Sequence, residues 1–329
     1  MILVTGATGL VGAHLLYELC SGGHKVRATR RANSNTHFVE WVFSLYTANS
    51  SDLLNLIEWV DAEVLDYQSL VEATKGVSTV FHTAATVSFS PSQEQNILAT
   101  NVRGTANVVD ACLENGVKTL CHVSSIAALG ERNDLGVIDE SCKWQKSKGQ
   151  SAYARSKFLG ENEVWRGFEQ GLRVVIVNPS VILGPGRWNS GSGQLFSIVS
   201  KGMPFYTDGV TGYVDVRDVA KAMVFLTLNT EVSGERFVLN SENLGFRELF
   251  TLIANVSNNR KPFIKIPLTL IHVLYPLIFI LTAGRISKSN LKSAFTKSYY
   301  SSVKIKALGF TFTPITHTVQ LMAEAKKKS

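Results

Sequence analysis

The feature that most constrains the fold is a glycine-rich turn at the start of the chain. A β-prone run, Ile2 to Thr5, leads into Gly6, Gly9 and Gly12, spaced three residues apart. In such turns glycine permits the tight strand-to-helix reversal, lets backbone N–H groups approach a pyrophosphate, and lets the helix pack closely on the strand. The positive end of the following helix favours phosphate. The pattern predicts a dinucleotide site.

Length and composition predict a folded protein with room for a large domain and a smaller one. The 329 residues are 45% hydrophobic with a net charge of +7, so core material is ample. The four cysteines include no C-x-x-C pair and the seven histidines show no metal-ligand spacing, so we expect neither a disulfide framework nor a metal site. The strand that follows Met1 directly leaves no room for a signal peptide, and we expect a cytoplasmic protein.

The basic residues late in the chain are interpreted as a solvated surface. Lys326 to Lys328 form the densest run. Nucleic-acid binding favours a basic stripe with interleaved aromatic residues or a known module, and the sequence shows neither. We therefore expect a small-molecule substrate and no nucleic-acid partner.

The second predicted strand, Lys25 to Thr29, ends in Arg30 and Arg31. A site for NAD places a carboxylate there to hold the ribose hydroxyls, whereas guanidinium groups suit a 2′-phosphate. The missing carboxylate and the added charge together predict NADP, with NAD as the second choice. An ordinary pair of surface arginines is the alternative interpretation.

Three further predicted strands end in small or polar residues. The strand Ile57 to Val64 ends in Glu63-Val64. The strand Ser78 to His82 leads into Thr83-Ala84-Ala85, and the strand Thr119 to Val123 leads into Ser124-Ser125. Ligands bind at the carboxyl ends of strands in open parallel sheets, so these residues are candidates for the site. Helix capping is the alternative for the two serines.

Two predicted helices carry the remaining polar candidates. A long helix from about Pro91 to Glu114 contains Asn101. Tyr153 and Lys157 lie four residues apart at the start of a helix that runs to about Gln170, which puts both on one helical face, one turn apart. Alone, this spacing occurs by chance.

The three-glycine turn, a serine after strand five and the Tyr153–Lys157 pair together resemble the extended short-chain dehydrogenase/reductase family of the NAD-dependent epimerase/dehydratase superfamily. The sequence looks most like the dihydroflavonol reductase and hydroxysteroid dehydrogenase-like branch. Secondary matches are His82-Thr83-Ala84-Ala85, Asn101-Val102-Arg103-Gly104-Thr105, Asn178-Pro179-Ser180 with Gly184-Pro185, Val214 to Ala220, and Ala307-Leu308-Gly309-Phe310. The resemblance spans nearly the whole chain.

The resemblance implies an α/β fold, in which a Rossmann doubly wound parallel sheet is joined to a smaller C-terminal substrate domain. Residues 1–178 would form the dinucleotide-binding domain, and residues 209–235 would return to it. Residues 179–208 and 236–329 would form the substrate domain. A homodimer packed through the helices that bear Asn101 and Tyr153 is also expected.

The implied activity is that of an NADP-dependent oxidoreductase that transfers a hydride between the nicotinamide and a carbonyl or alcohol. Such transfer needs a proton donor within reach of the carbonyl oxygen. Tyr153 is the candidate donor, and Lys157 is expected to lower its pKa and to bind the nicotinamide ribose. Ser125 would hold the substrate oxygen, with Ser124 as the second choice, and Asn101 would support the site.

The residues expected to contact the cofactor come from the glycine turn, the strand ends and the Tyr-Lys helix. The set is Thr5, Gly6, Thr8, Gly9, Leu10, Val11, Gly12, Arg30, Arg31, Glu63, Val64, Thr83, Ala84, Ala85, Asn101, Val123, Ser124, Tyr153, Lys157, Asn178, Pro179 and Ser180. The segment Arg187 to Gly193 has the composition of a substrate lid or of an ordinary surface loop.

The most apolar stretch is Ile266 to Leu281, about sixteen residues. A membrane-spanning helix needs about twenty apolar residues, so we expect no integral span. We interpret the stretch as a buried or pocket-lining helix, with a membrane-surface contact as the lesser alternative. Such a helix favours an apolar substrate.

Two other functions remain open. Nucleotide-sugar epimerases and dehydratases usually carry Asn where this chain has Val181, and sugar dehydratases carry an Asp-Glu pair where it has Ile126-Ala127. Both departures count against that reading. A non-catalytic nucleotide-binding regulator is the third reading, but such relatives tend to lose the Tyr or the Lys.

Overall fold

The computed structural model describes residues 1–88, 90–145, 150–269 and 294–329. Most of the predicted apolar helix, from residue 270 to residue 281, lies outside the described residues. Within these ranges, no helix combines the length and the apolar character that crossing a bilayer requires.

Short strands alternate with helices along the chain. The strands are β1 (Ile2–Thr5), β2 (Val26–Arg30), β3 (Ile57–Asp61), β4 (Thr79–His82), β5 (Thr119–Val123), β6 (Arg173–Pro179), β7 (Val181–Leu183), β8 (Phe205–Tyr206), β9 (Val210–Asp215), β10 (Glu235–Leu239), β11 (Glu242–Gly245) and β12 (Ile264–Lys265). The helices are α1 (Leu10–Ser21), α2 (His37–Tyr46), α3 (Ser50–Leu54), α4 (Tyr67–Thr74), α5 (Glu94–Leu98), α6 (Gly104–Glu114), α7 (Ala152–Glu169), α8 (Gly191–Val199), α9 (Val216–Leu228), α10 (Phe246–Val256), α11 (Val303–Ala307) and α12 (Ile315–Lys327).

Seven strands form one parallel sheet in the order β10-β6-β5-β4-β1-β2-β3. The chain starts in β1, runs outward to β3, and then returns to β4 on the other side of β1. This reversal between β1 and β4 is the position at which open parallel sheets bind ligands, outside the carboxyl ends of the strands. The predicted Rossmann-like α/β fold is confirmed.

Helices cover both faces of the large sheet. On one face α1, α2 and α9 bury a core that includes Leu16, Phe43 and Met223. On the other face α4, α6 and α7 bury a core that includes Val109 and Val164. Since both faces are covered, the central strands are continuous apolar runs rather than alternating ones.

A smaller unit has its own sheet and core. Strands β11, β9 and β7 form a three-stranded sheet. Side chains from α8, α10 and α12, among them Phe196, Phe250 and Val319, pack in a third apolar cluster.

The division of the chain differs from the predicted boundaries. Strand β9, which the prediction gave to the dinucleotide domain within 209–235, pairs with β7 and β11 in the small sheet. Strand β10 pairs with β6 and extends the large sheet to Leu239, beyond the predicted limit at residue 235. Ile305 of α11 also lies in the core of the large sheet. Strand pairing between distant segments decides these assignments, and a local pattern does not reveal it.

The predicted long helix between Pro91 and Glu114 is interrupted. A 3₁₀ turn (Pro91–Gln93) and α5 lead into a π-helical turn (Ala99–Arg103) before α6 begins. The wide turn places Asn101 against α7, where a Cβ on Gly160 would lie 2.4 Å from the Asn101 carbonyl oxygen. The absence of a side chain at residue 160 permits this close approach.

Candidate active site

The glycine turn forms a tight cradle between β1 and α1. Gly6 has a positive φ of 71°, and a Cβ there would lie 2.5 Å from the amide nitrogen of Ala84. A Cβ on Gly12 would lie 2.3 Å from the Gly6 carbonyl oxygen. Only glycine therefore permits the turn, the helix and the loop after β4 to meet.

A cavity of about 730 Å³ opens at the carboxyl ends of β1, β2 and β4. It brings together ten of the predicted cofactor residues, namely Gly6, Thr8, Gly9, Arg30, Arg31, Glu63, Val64, Thr83, Ala84 and Ala85. The cavity therefore runs from the glycine turn to the Arg30–Arg31 pair.

The same cavity is lined by residues that the predicted set did not include. They are Thr29, Asn33, Ser34, Asn35, Ala62, Leu65, Thr86, Asn96, Thr100 and Arg187. Arg187 comes from the segment predicted as a lid or surface loop, and its guanidinium lies over the Phe38 ring, 5.3 Å from the ring centroid. No local pattern indicated this contact, because it joins the segment after β7 to α2.

The two arginines after β2 differ in their surroundings. Arg30 donates from Nε to Asp61 Oδ1 at 3.0 Å. Arg31 is exposed at the cavity, and among the described residues no carboxylate pairs with it. Arg30 is therefore partly neutralised within the protein, whereas the charge of Arg31 faces solvent.

The other predicted cofactor residues lie outside this cavity. They are Thr5, Leu10, Val11, Gly12, Asn101, Val123, Ser124, Tyr153, Lys157, Asn178, Pro179 and Ser180. Of these twelve residues, Val123, Ser124, Asn178, Pro179 and Ser180 lie at the ends of β5 and β6, and Tyr153 and Lys157 lie on α7.

Ser125 and Tyr153 form the centre of the catalytic arrangement. Ser125 Oγ accepts a hydrogen bond from the Ala127 amide at 3.1 Å and caps the 3₁₀ turn Ile126–Ala128. Ser125 is also hydrogen-bonded to the Tyr153 phenol. The capping interpretation of this serine is therefore correct, and the same hydroxyl keeps its proton for the phenol oxygen.

Burial raises the pKa of the Tyr153 phenol above its usual value, and the hydrogen bond with Ser125 acts in the opposite direction. The Lys157 ammonium donates to the Val123 carbonyl oxygen at 2.9 Å. The prediction that Lys157 lowers the pKa of Tyr153 below its usual value is therefore wrong for this structure. Desolvation of the phenolate outweighs the hydrogen bond with Ser125.

The pKa of Lys157 itself is lowered to about 8, because burial disfavours the ammonium form. The carboxylate of Glu161, one turn further along α7, acts in the opposite direction.

A buried hydrogen-bond chain links the glycine turn to the π-helical turn. Thr5 Oγ1 lies 2.7 Å from His82 Nδ1, and His82 Nε2 lies 3.0 Å from Thr105 Oγ1. Thr105 donates to the Asn101 carbonyl oxygen at 2.8 Å. Since the Thr105 proton is used there, His82 Nε2 is the donor to Thr105 and Nδ1 accepts from Thr5.

The Asn101 side chain links the loop after β4 to α7, and its predicted supporting role stays a prediction. Its side-chain oxygen accepts from the Thr86 amide at 2.7 Å. Its side-chain nitrogen donates to the Thr86 carbonyl at 3.0 Å and to Ser156 Oγ at 2.9 Å. The loop after β4 is thereby fixed to the helix that bears Tyr153.

Three polar atoms at the ends of β5 and β6 are buried and have no hydrogen-bond partner among the described residues. They are the hydroxyls of Ser124 and Ser180 and the side-chain oxygen of Asn178. Buried polar groups in native proteins are ordinarily paired with protein, water or ligand. These atoms and the glycine cradle fit the polar end and the pyrophosphate of a nicotinamide dinucleotide.

The family model for the NAD dependent epimerase/dehydratase family matches residues 2–239. The chain belongs to this family. The predicted family and an NAD(P)-dependent enzyme are thereby confirmed.

Two curated relatives are similar to the chain to the same extent. "Putative dihydroflavonol 4-reductase" of Synechocystis sp. is 29% identical, over 98% of this chain and 92% of that protein. Cinnamoyl-CoA reductase 1 of Petunia hybrida is 29% identical, over 96% of this chain and 88% of that protein. Among solved structures, the crystal structure of gox2253 superposes with a TM-score of 0.82 at 28% identity. The match covers 100% of this chain and 98% of the gox2253 chain.

The burial of His82 predicts that the free energy of unfolding depends on pH. Burial lowers its pKa to about 3, whereas an unfolded chain binds that proton below about pH 6.5. The unfolded state therefore binds more protons between these values, and the free energy of unfolding falls as pH is lowered from about 6.5.

His82→Gln removes this one titration. Its urea-unfolding free energy, measured from pH 6.5 to pH 4, should fall less steeply than that of the wild type, by up to about 1.4 kcal/mol per pH unit. Equal slopes in the two proteins would contradict the buried, neutral state of His82.

Proposed function

We propose that this protein is an NADP-dependent oxidoreductase that transfers a hydride between the nicotinamide and a carbonyl or alcohol of a small apolar substrate. The observation that carries the proposal is the hydrogen bond between Ser125 and Tyr153. Ser125 follows β5, which lies two strands from β1 in the large sheet, and Tyr153 lies in the first turn of α7. This arrangement supports a proton donor near the reactive ring of a bound dinucleotide.

The residues divide along the length of such a cofactor. The amides around Gly6 and Gly9 would hold the pyrophosphate at the N-terminus of α1. Arg30 and Arg31 would hold the 2′-phosphate, and Lys157 the nicotinamide ribose. Residues Ser124, Asn178 and Ser180 would meet the carboxamide end. When bound, the nicotinamide supplies or accepts the hydride.

The raised pKa of Tyr153 supports reduction of a carbonyl. A buried phenol keeps its proton at neutral pH and can donate it to a carbonyl oxygen that receives a hydride. With a substrate bound, the Ser125 hydroxyl would turn its one proton from the phenol oxygen to the carbonyl oxygen and orient that oxygen, while it still accepts from the Ala127 amide.

The names of the relatives support a proposal for the substrate class. Dihydroflavonol 4-reductase and cinnamoyl-CoA reductase name carbonyl-containing molecules with aromatic rings. We infer a hydrophobic ketone or aldehyde, or an activated acyl group, for this chain. A homodimer and a cytoplasmic location stay predictions.

The epimerase alternative has less support at the site. Val181 lies in β7 and offers no side-chain amide for a nucleotide. Ile126 and Ala127 form the 3₁₀ turn after Ser125, where a sugar dehydratase would need carboxylates.

Replacement of the phenol oxygen tests the assigned proton donor. Tyr153→Phe should lower the rate of NADPH-dependent carbonyl reduction by a factor of at least about 10², while the NADPH dissociation constant changes little. The assay follows NADPH absorbance over a panel of aldehydes, flavonoid-like ketones, ketosteroids and nucleotide sugars, and titration of NADPH fluorescence gives the dissociation constant. Tyr17→Phe, on α1 away from the site, is the matched control. Turnover retained by Tyr153→Phe would refute the role.

Removal of both guanidinium groups tests the 2′-phosphate assignment. Arg30→Ala/Arg31→Ala should raise the dissociation constant of NADPH by about tenfold to a hundredfold, because charge-assisted hydrogen bonds contribute roughly 1.5–3 kcal/mol. The dissociation constant of NADH should change far less. Lys25→Ala, an exposed cation just before β2, provides the control. An equal loss of affinity for both cofactors would contradict the proposed contact between these arginines and the 2′-phosphate.

A further inference from the structure

A third ionisable residue, Glu161, lies on the same face of α7 as the candidate catalytic pair. Tyr153, Lys157 and Glu161 follow one another at four-residue intervals, so their side chains lie in one row along the helix. The Glu161 residue is only 1% exposed. A carboxylate is rarely buried to this extent unless it is paired.

The partners of Glu161 occupy both of its oxygens. Oε2 accepts from Asn178 Nδ2 at 2.9 Å. Oε1 pairs with Arg236 Nη1 at 3.2 Å and lies 3.4 Å from Trp165 Nε1. The carboxylate is thereby joined to β6 and β10 of the large sheet.

The row on α7 holds the end of β5 at two points. Lys157 donates to the Val123 carbonyl, as described above. Asn178 Nδ2, held by Glu161, also donates to the Ser125 carbonyl oxygen at 3.0 Å. The backbone on both sides of Ser124 is fixed by these two contacts, and the position of the Ser125 hydroxyl depends on them.

The titratable and charged groups around Lys157 come from four elements. Glu161 and Tyr153 lie on its own helix, His82 on β4 and His122 on β5, and Arg236 on β10 lies behind Glu161. Burial together with the charge of Lys157 lowers the pKa of both histidines, to about 3 for His82 and well below its usual value for His122. Both rings are therefore neutral at neutral pH, and Glu161 is the anion of this group.

We propose that Glu161 is a positioning residue for the candidate active site. It holds Ser125 in place through Asn178 and balances the charge of Lys157. This role rests on the proposed function of the Ser125, Tyr153 and Lys157 site. Arg236 completes the arrangement, since it pairs with Glu161 and donates to the carbonyls of Glu140 and Cys142.

The charge of Glu161 is tested by the titration of Lys157 in the whole protein. Glu161→Gln keeps an oxygen that can accept the Asn178 bond and removes the charge. The probe is the ¹³Cε resonance of Lys157 in protein labelled with ¹³C-lysine, identified by its absence in Lys157→Met. The pKa of Lys157 should fall by about one unit or more in Glu161→Gln, since a neighbouring opposite charge typically shifts a pKa by 1–3 units.

Glu163→Gln is the matched control, because Glu163 lies on the same helix and pairs with Arg166 at 2.8 Å. It should leave the Lys157 titration unchanged. An unchanged titration in Glu161→Gln, or an equal shift in Glu163→Gln, would overturn the electrostatic part of the proposal.

A second variant covers failure of Glu161→Gln to fold, because Arg236 would then be a buried, uncompensated cation. Glu161→Gln/Arg236→Met removes both charges. Its Lys157 pKa should stay below that of the wild type, and a return to the wild-type value would overturn the proposal.

The positioning role is tested by kinetics with a carbonyl substrate found in the NADPH assay. Glu161→Ala, which also removes the acceptor for Asn178, should lower kcat at least tenfold with little change in the NADPH dissociation constant, while Glu161→Gln keeps more of kcat. Equal kcat in Glu161→Ala and wild type would overturn the positioning role. Failure to find any substrate counts against the proposed function alone, since the titration of Lys157 requires none.

Discussion

The site depends on a contact between α7 and the carboxyl ends of β5 and β6 that is made by buried polar groups. Lys157 holds the Val123 carbonyl, and Asn178 holds both the Ser125 carbonyl and Glu161. Hydrogen bonds in such a low-dielectric interior are strong when every partner is present and costly when one is missing. The contact therefore admits one arrangement of the strand ends, and that arrangement sets Ser125 beside Tyr153.

The same kind of constraint extends to the glycine turn. The chain of hydrogen bonds from Thr5 through His82 and Thr105 ends on the Asn101 carbonyl. Asn101 in turn fixes the loop after β4, which packs on Gly6 without room for a side chain. The cradle for a pyrophosphate and the candidate proton donor are thus parts of one rigid arrangement. Preorganisation of this kind removes the need to order these groups during reaction.

The sequence was sufficient to predict the parts of the site that local patterns encode. The glycine spacing predicted the turn, the strand ends predicted Thr83 to Ala85 and Ser125, and the four-residue interval placed Tyr153 and Lys157 on one face. Each of these depends on neighbours in the chain, because backbone geometry and helical periodicity are local properties.

Other features depend on contacts between distant segments and were not predicted. The pairing of Arg30 with Asp61 joins β2 to β3. The Asn101 side chain is hydrogen-bonded to Thr86, and Arg187 reaches the cavity from the segment after β7. The direction of the Tyr153 pKa shift was also wrong, because the extent of burial is a property of the whole fold.

A crystal structure of the protein with NADPH bound tests most directly whether a single dinucleotide joins the cavity at Arg31 to the site at Tyr153. We expect the 2′-phosphate between Arg30 and Arg31, the pyrophosphate on the amides of the glycine turn, and the nicotinamide ring beside the Tyr153 phenol. A nicotinamide ring away from Tyr153, or an adenosine phosphate that does not contact either arginine, would contradict this arrangement.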